Sequence, residues 1–294
     1  MKWDRSAADT IDVVNSLCVN GFRYRKLALA ALLASATTAC STPPAMDLAT
    51  YSPPTTSSSS SESTSRRFHV RVLERVRTDR ADAQGLELVG EVLVEDTGRT
   101  IRAVAPTTGA VRAQQEVPAV RGRSGIALAP AGLWHITTGL TILRDPVTLA
   151  ERRRTPEAHE SWGLCHDGTR LVQSDGSTRL LLRDHETAAP IGEVQVATRE
   201  WSTARLGELH CVTVRGYPQV WAVVTGTDWL IRVDLVTGIV TAVADLTAVT
   251  VAEQPTGRDD VIGGITAVSG AGDELWLTGR HYGHHYRIRL QPQV

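Results

Sequence analysis

The side chains in this sequence whose type and spacing could do chemistry are histidines, cysteines and carboxylates. Cys165-His166 and His210-Cys211 mirror one another, and four nitrogen and sulfur donors would suit zinc. Consecutive side chains of a strand point to opposite faces, however. In repeat register Cys165 matches His210 and His166 matches Cys211, so the four donors should not converge. Three readings stay open. One is a Cys165–Cys211 disulfide, suited to an oxidising compartment but opposed by the one-residue stagger unless a bulge intervenes. The others are a metal site and a pair of buried thiols. His281, His284 and His285 form a second donor set with no acid adjacent in sequence. They read as a polar rim, or as a base if they face inward beside Arg280. No metal is expected at either place. Glu95, Glu160 and Glu208 each sit near the start of an apolar segment, where bonding to backbone or arginine is the plain expectation. Arg183-Asp184 and Arg232-Val233-Asp234 recur once per unit and read as structural.

The elements that must position these groups are short strands. From Trp162 to Thr187 the chain runs through an apolar strand ending at Cys165, a turn at Asp167-Gly168, a strand at Leu171–Gln173, a turn at Ser174–Ser177 and a strand at Leu180–Leu182. Asp-Gly turns between strands this short indicate antiparallel hairpins. Related units begin at Gly85, Gly125, Gly207 and Gly263. A spacing of roughly 40 to 50 residues matches the four-stranded blade of a β-propeller. The expectation is therefore an all-β, five-bladed β-propeller over residues 68–294. Phe68–Val76 alternates apolar and charged residues, and should pair with Tyr286–Leu290 so that the N- and C-terminal strands close the ring.

The chain has 294 residues and a formal net charge of −1 with both signs interspersed, so no basic stripe points to nucleic acid. Arg23–Lys26 followed by the short apolar run Leu27–Ala36 has the layout of an export signal over residues 1–39, with translation starting near Val19. Ala39-Cys40 resembles a bacterial lipobox, with Thr37 where Leu or Val is usual, so Cys40 is a candidate lipidation site. Residues 40–67 are Ser/Thr/Pro-rich and read as a tether. The resulting expectation is an exported, monomeric domain, held to a membrane only through a lipid on Cys40, with plain secretion as the alternative.

Several motifs share their order and spacing with one family. They are Gln84-Gly85-Leu86, Val94-Glu95-Asp96-Thr97-Gly98, Trp162-Gly163-Leu164 with its two following turns, Leu206-Gly207-Glu208-Leu209 and Thr278-Gly279-Arg280. In this respect the chain resembles the plant and bacterial type of glutaminyl-peptide cyclotransferase, whose counterparts read Phe-Thr-Gln-Gly-Leu, Tyr-Glu-Ser-Thr-Gly, Leu-Asn-Glu-Leu and Thr-Gly-Lys. The resemblance covers about residues 68 to 290. It implies a five-bladed propeller, without metal or cofactor, that cyclises an N-terminal glutamine and releases ammonia. That chemistry needs a carboxylate to move a proton from the α-amine to the leaving nitrogen, donors for the oxyanion and an aromatic pocket.

Carried over by position, the family's glutamate falls on Ser124, a hydroxyl unable to shuttle a proton near neutral pH. No Glu or Asp lies between Val117 and Arg144. The family's phenylalanines fall on Asp82 and Gly122. Its tryptophans fall on Trp162, which is kept, and on Thr138 and Thr225; its asparagine falls on Gly207. Gln84 is kept and Arg280 replaces lysine. These residues are the candidate substrate contacts, with Ser124 at the catalytic position and Glu208 as the substitute acid. Three functions compete: a cyclotransferase with a rearranged acid, a non-catalytic propeller binding a peptide N-terminus or small ligand, and a cell-envelope scaffold. The changed positions favour the second, as a pseudoenzyme.

Overall fold

The computed structural model describes residues 65–79, 82–117 and 122–293. The expected signal, Cys40 and most of the tether lie outside the described residues. No helix among the described residues is long and apolar enough to cross a membrane.

The described residues are mostly strand. Strand β1 (Arg66–Arg77) precedes a series of four-stranded antiparallel meanders. These are β2 (Gly85–Val89), β3 (Val92–Asp96), β4 (Thr100–Val104) and β5 (Val111–Glu116), then β6 (Ser124–Ala129), β7 (Gly132–Thr137), β8 (Leu140–Arg144) and β9 (Glu151–Pro156). Next come β10 (Gly163–His166), β11 (Arg170–Ser174), β12 (Arg179–Asp184) and β13 (Pro190–Gln195). The chain continues through β14 (Leu206–Val214), β15 (Tyr217–Val224), β16 (Trp229–Asp234) and β17 (Val240–Asp245). A short helix α1 (Thr247–Glu253) leads to β18 (Ile262–Val268), β19 (Ala271–Gly279) and β20 (His284–Pro292). The first three meanders are separate four-stranded sheets.

The remaining strands differ from the sequence expectation of separate units. They form one eight-stranded sheet in the order β14-β15-β16-β17-β1-β20-β19-β18. Strand β1 pairs antiparallel with β20, with Val70 opposite Leu290 and Val72 opposite Ile288, so the chain ends meet. It is also long enough for its first residues to pair parallel with β17, with Arg66 opposite Ala242. That second edge fuses two meanders into one sheet.

The glycines that open each unit have a packing reason. The first strands pack side by side in the cyclic order β2, β6, β10, β14, β18 and back to β2. At Gly125 a Cβ would lie 2.5 Å from the Gly163 carbonyl carbon, and at Gly163 one would lie 2.5 Å from the Gly207 oxygen. At Gly264 a Cβ would lie 2.8 Å from the Leu86 Cβ. Each first strand carries glycine within its first three residues, and at Gly125 and Gly163 the neighbouring backbone occupies the space a side chain would need. Behind this ring, alternating Leu, Ile and Val of the second and third strands form the apolar layers between sheets, such as Leu133 with Val94 and Ile101. The turns joining third to fourth strands repeat one device. Asp145, Asp184 and Asp234 accept hydrogen bonds from backbone N–H groups and from Thr148, Thr187 and Thr237. These are the aspartates of the recurring Arg/Asp pattern, and their role is turn formation.

Candidate functional site

The Asp96–Ser124 cleft is built where the β2–β5 sheet meets the β6–β9 sheet. Glu95 and Asp96 end β3, and as consecutive strand residues they face opposite ways. Glu95 turns toward the eight-stranded sheet, accepting from Arg102 Nε at 2.5 Å and from His285 Nε2 at 2.9 Å. Asp96 turns the other way and meets Ser124, the first residue of β6, whose hydroxyl donates to Asp96 Oδ2. His135 Nε2 lies 2.8 Å from the same oxygen, and the Gly98 N–H donates to Oδ1 at 2.7 Å. Arg144 Nε donates to His135 Nδ1 at 3.2 Å. Because arginine can only donate, His135 Nδ1 is the acceptor toward Arg144, and the proton on Nε2 is donated to Asp96. All four side chains are buried.

This wiring sets the charge state. Burial alone would raise the Asp96 carboxyl, but the His135 imidazole and the donations from Ser124 and Gly98 outweigh it and hold the group below the usual carboxylate range. Glu208 is the opposite case. It is 3% exposed, and neither carboxyl oxygen has a side-chain hydrogen-bond partner among the described residues. Burial pushes it well above the ordinary glutamate value; Arg123 opposes the shift, and Asp96 and Glu87 add to it. The site therefore pushes one carboxyl down and another up within electrostatic reach of each other. Glu87 on β2 is likewise pushed up to about 8 by burial, against a backbone hydrogen bond from Leu128.

Gln84, Asp96, Gly98, Val117, Gly122, Arg123, Ser124 and Thr137 line a cleft of about 10 Å³, room for roughly one water. The other candidate positions surround it at the same end of the first strands. Trp162 is half-buried, with Arg123 Cζ 4.4 Å and Arg205 Cζ 4.6 Å from its ring centroid, and its indole N–H donates to Glu160 at 3.1 Å. The expected aromatic wall is thus already in contact with two guanidinium groups. Arg280 donates through Nε to Asp82 at 2.6 Å and through Nη2 at 3.2 Å, so the residue in the place of a family phenylalanine neutralises the residue in the place of its lysine. Thr138 packs on Gly122, where a Cβ would fall 2.2 Å from its hydroxyl. Gly207 packs on Thr225 in the same way, and the Thr225 hydroxyl has no partner among the described residues.

The remaining clusters separate. Cys165 and Cys211 form a disulfide with Cα atoms 5.5 Å apart. The stagger that opposed it is absorbed by a register shift between Leu206 and Leu209 on β14. Beside it, burial pushes His210 down to about 4. His281, His284 and His285 each meet a carboxylate distant in sequence: Asp260, Glu253 and Glu95. Among the described residues no group of three His, Cys, Asp or Glu side chains is arranged to hold a metal ion.

Sequence reasoning missed Asp96 and His135. A signal for Asp96 existed, because the motif that aligns Val94–Gly98 has serine where this chain has Asp96, while Ser124 stands where the family has glutamate. The serine and the acid have changed places, and the two positions touch. His135 had no signal, since a lone histidine in an apolar strand reads as core.

With the geometry described, comparison with known proteins is informative. The glutamine cyclotransferase family model matches residues 45–290. The glutaminyl cyclase of Myxococcus xanthus superposes with a TM-score of 0.69 at 26% identity, covering 78% of this chain and 100% of that one. The WD40 domain of Neurospora crassa Pan2 has a TM-score of 0.43 at 10% identity, covering 72% of this chain and 76% of that one. The β-propeller domain of Myceliophteria thermophila Cps50 (Swd1) has 0.45 at 10% identity, covering 76% and 100%. These two carry no argument about activity. No curated protein matches the sequence. The matched family residues span both the cleft and the ring of first strands, and the chain belongs to the glutamine cyclotransferase family.

Proposed function

We propose that the chain is a five-bladed propeller that performs the family reaction, closing an N-terminal glutamine to pyroglutamate, with Asp96 as its acid–base group. The closed cycle of first strands and the pairing of β1 with β20 support the five-bladed reading, the eight-stranded sheet being two blades joined through β1. The observation that carries the chemistry is the Asp96 carboxylate resting on the Ser124 hydroxyl in the wall of the cleft. A carboxylate lost from β6 is supplied from β3, one sheet away.

In this mechanism the substrate's neutral α-amine attacks its own side-chain Cδ. The new N–Cδ bond forms as the amine proton passes to Asp96, which its hydrogen bonds keep ionised. Collapse of the tetrahedral species breaks the bond from Cδ to the amide nitrogen, and Asp96 returns the proton so that ammonia leaves. Glu208, whose carboxyl burial pushes up and which has no side-chain partner among the described residues, is the candidate donor to the developing oxyanion. His135 and Arg144 position Asp96 rather than touch substrate.

A second reading is favoured by the cleft volume of about 10 Å³, which is too small for a glutamine side chain as it stands: the propeller binds a peptide N-terminus or small ligand without turning it over. A coupled ammonia assay with a glutamine-initiated dipeptide separates the two. Turnover by the wild type that falls at least ~100-fold in Asp96→Asn supports the first reading, on the usual scale of acid–base contributions. Saturable binding with no ammonia supports the second. We further propose that the protein is exported as a monomer and anchored through Cys40, a reading supported by the basic and apolar segments before it and the tether after it. Failure of radiolabelled palmitate to enter the protein would remove the anchor.

A further inference from the structure

Three residues occupy equivalent places at the mouth of the ring. Arg123 immediately precedes β6, Trp162 immediately precedes β10, and Arg205 immediately precedes β14. Both guanidinium groups lie against the one indole, at 4.4 and 4.6 Å from its centroid. An indole attracts cations through its quadrupole but carries no formal charge, so it holds the two arginines without neutralising them. Neither forms an ion pair within 4.0 Å among the described residues, in contrast with Arg280 and its partner Asp82. Residues 80–81 and 118–121, outside the described residues, include no acid. Glu160 is the acid nearest in sequence to Trp162, and it accepts from the indole N–H. Arg123 is half-buried; burial and the charges of Arg280 and Arg205 disfavour its charge, while Glu208 and Asp82 favour it without reaching ion-pair contact. Two arginines drawn together on one indole, Arg123 half-buried and Arg205 exposed, with no carboxylate in ion-pair contact among the described residues, make a seat for an anion.

The seat adjoins the cleft, because Arg123 lines it together with Gln84, Asp96 and Ser124. A peptide whose first residue reaches Asp96 advances by about 3.3–3.6 Å per residue, which brings its next side chain past Arg123. We propose that Arg123 and Arg205, held on Trp162, bind the side-chain carboxylate of an acidic second residue, so that the protein prefers peptides beginning Gln-Glu or Gln-Asp. The placement of the first residue rests on the reading of the cleft given above; the preference itself does not require turnover.

The test measures both binding and ammonia release with the full chain. Calorimetry at low salt compares Gln-Glu-amide, Gln-Gln-amide and Gln-Gln with a free carboxyl terminus. Gln-Glu-amide should bind about tenfold tighter than Gln-Gln-amide, the scale of a charge-assisted contact at a partly exposed site. The ratio should shrink as salt is raised. It should approach one in Arg205→Gln and in Arg123→Gln, and in Arg205→Glu the preference should turn toward Gln-Lys-amide. A ratio near one in the wild type, a ratio that survives in both glutamine variants, or no binding of any peptide would overturn the proposal. So would a preference confined to the free carboxyl terminus, which would assign the seat to a main-chain carboxylate. The two readings fail separately. Acidic preference in binding without ammonia from any peptide sinks catalysis and leaves the seat. Equal kcat/KM for Gln-Glu-amide and Gln-Gln-amide, with equal affinities, sinks the seat and leaves catalysis.

Discussion

Replacing Gly163 by alanine tests the ring on which the site is built. The added Cβ would lie 2.5 Å from the Gly207 carbonyl oxygen and 2.6 Å from Glu208 Cα, both of them backbone atoms of the neighbouring first strand. Neither can swing aside as a side chain could, so β10 and β14 must separate. Overpacking of this kind costs about 1–3 kcal/mol. For a domain of this size each kcal/mol lowers Tm by about 2–4 °C, so the expected loss is roughly 2–12 °C. Gly272→Ala is the control: a Cβ there meets nothing within 4 Å, and its φ is not left-handed. It should be neutral or stabilising by about 0.4–1 kcal/mol through the unfolded chain. Thermal unfolding followed by circular dichroism reads both variants. If Gly163→Ala melts within 1 °C of the wild type, on the same ~2–4 °C per kcal/mol scale, the close approach of first strands is refuted.

Other consequences follow from the buried groups. Cys165→Ser opens a link between residues 46 apart in sequence, and should cost about 2–4 kcal/mol in a denaturant titration; reducing agent should have a matching effect on the wild type and none on the variant. Because burial raises the Glu208 carboxyl, the native state keeps a proton that the unfolded chain releases. The contribution of Glu208 is therefore fully present below the unfolded value and is lost as pH rises toward the folded one. Glu208→Gln should match the wild type in Tm near pH 4 and exceed it increasingly toward pH 8, and a constant difference across that range would contradict the assignment. Asp96 has the opposite sign. Its stabilisation is present above the unfolded carboxylate value and is lost as pH falls through the depressed folded one. Asp96→Asn should therefore flatten the acid side of the stability curve.

The repeat architecture was legible because its cause is local: glycine lies at or just after the start of each first strand, tight turns follow, and apolar runs fill the second and third strands. The outermost strands were not, since β5, β9 and β13 are exposed and carry sequences such as Glu151-Arg152-Arg153-Arg154 with no apolar period. Helix α1 was missed because Val249, Thr250 and Val251 favour strand and no side chain caps its start. The disulfide stayed open because the bulge on β14 that decides it has no marker in sequence. The acid was sought along the segment around Ser124, whereas folding brings it from β3, 28 residues earlier in the chain. That distance in sequence, and the neutral pairing of Arg280 with Asp82, are properties of sheets meeting one another rather than of any single stretch.

The most direct test exchanges the two positions that touch. Ammonia release from a glutamine-initiated dipeptide would be measured for the wild type, Asp96→Ser, and Asp96→Ser combined with Ser124→Glu. The account predicts turnover by the wild type, its loss in the single variant, and its return when the carboxylate is restored on β6. Turnover that survives Asp96→Ser would contradict the assignment of Asp96 as the acid, and silence from all three would contradict catalysis at this cleft.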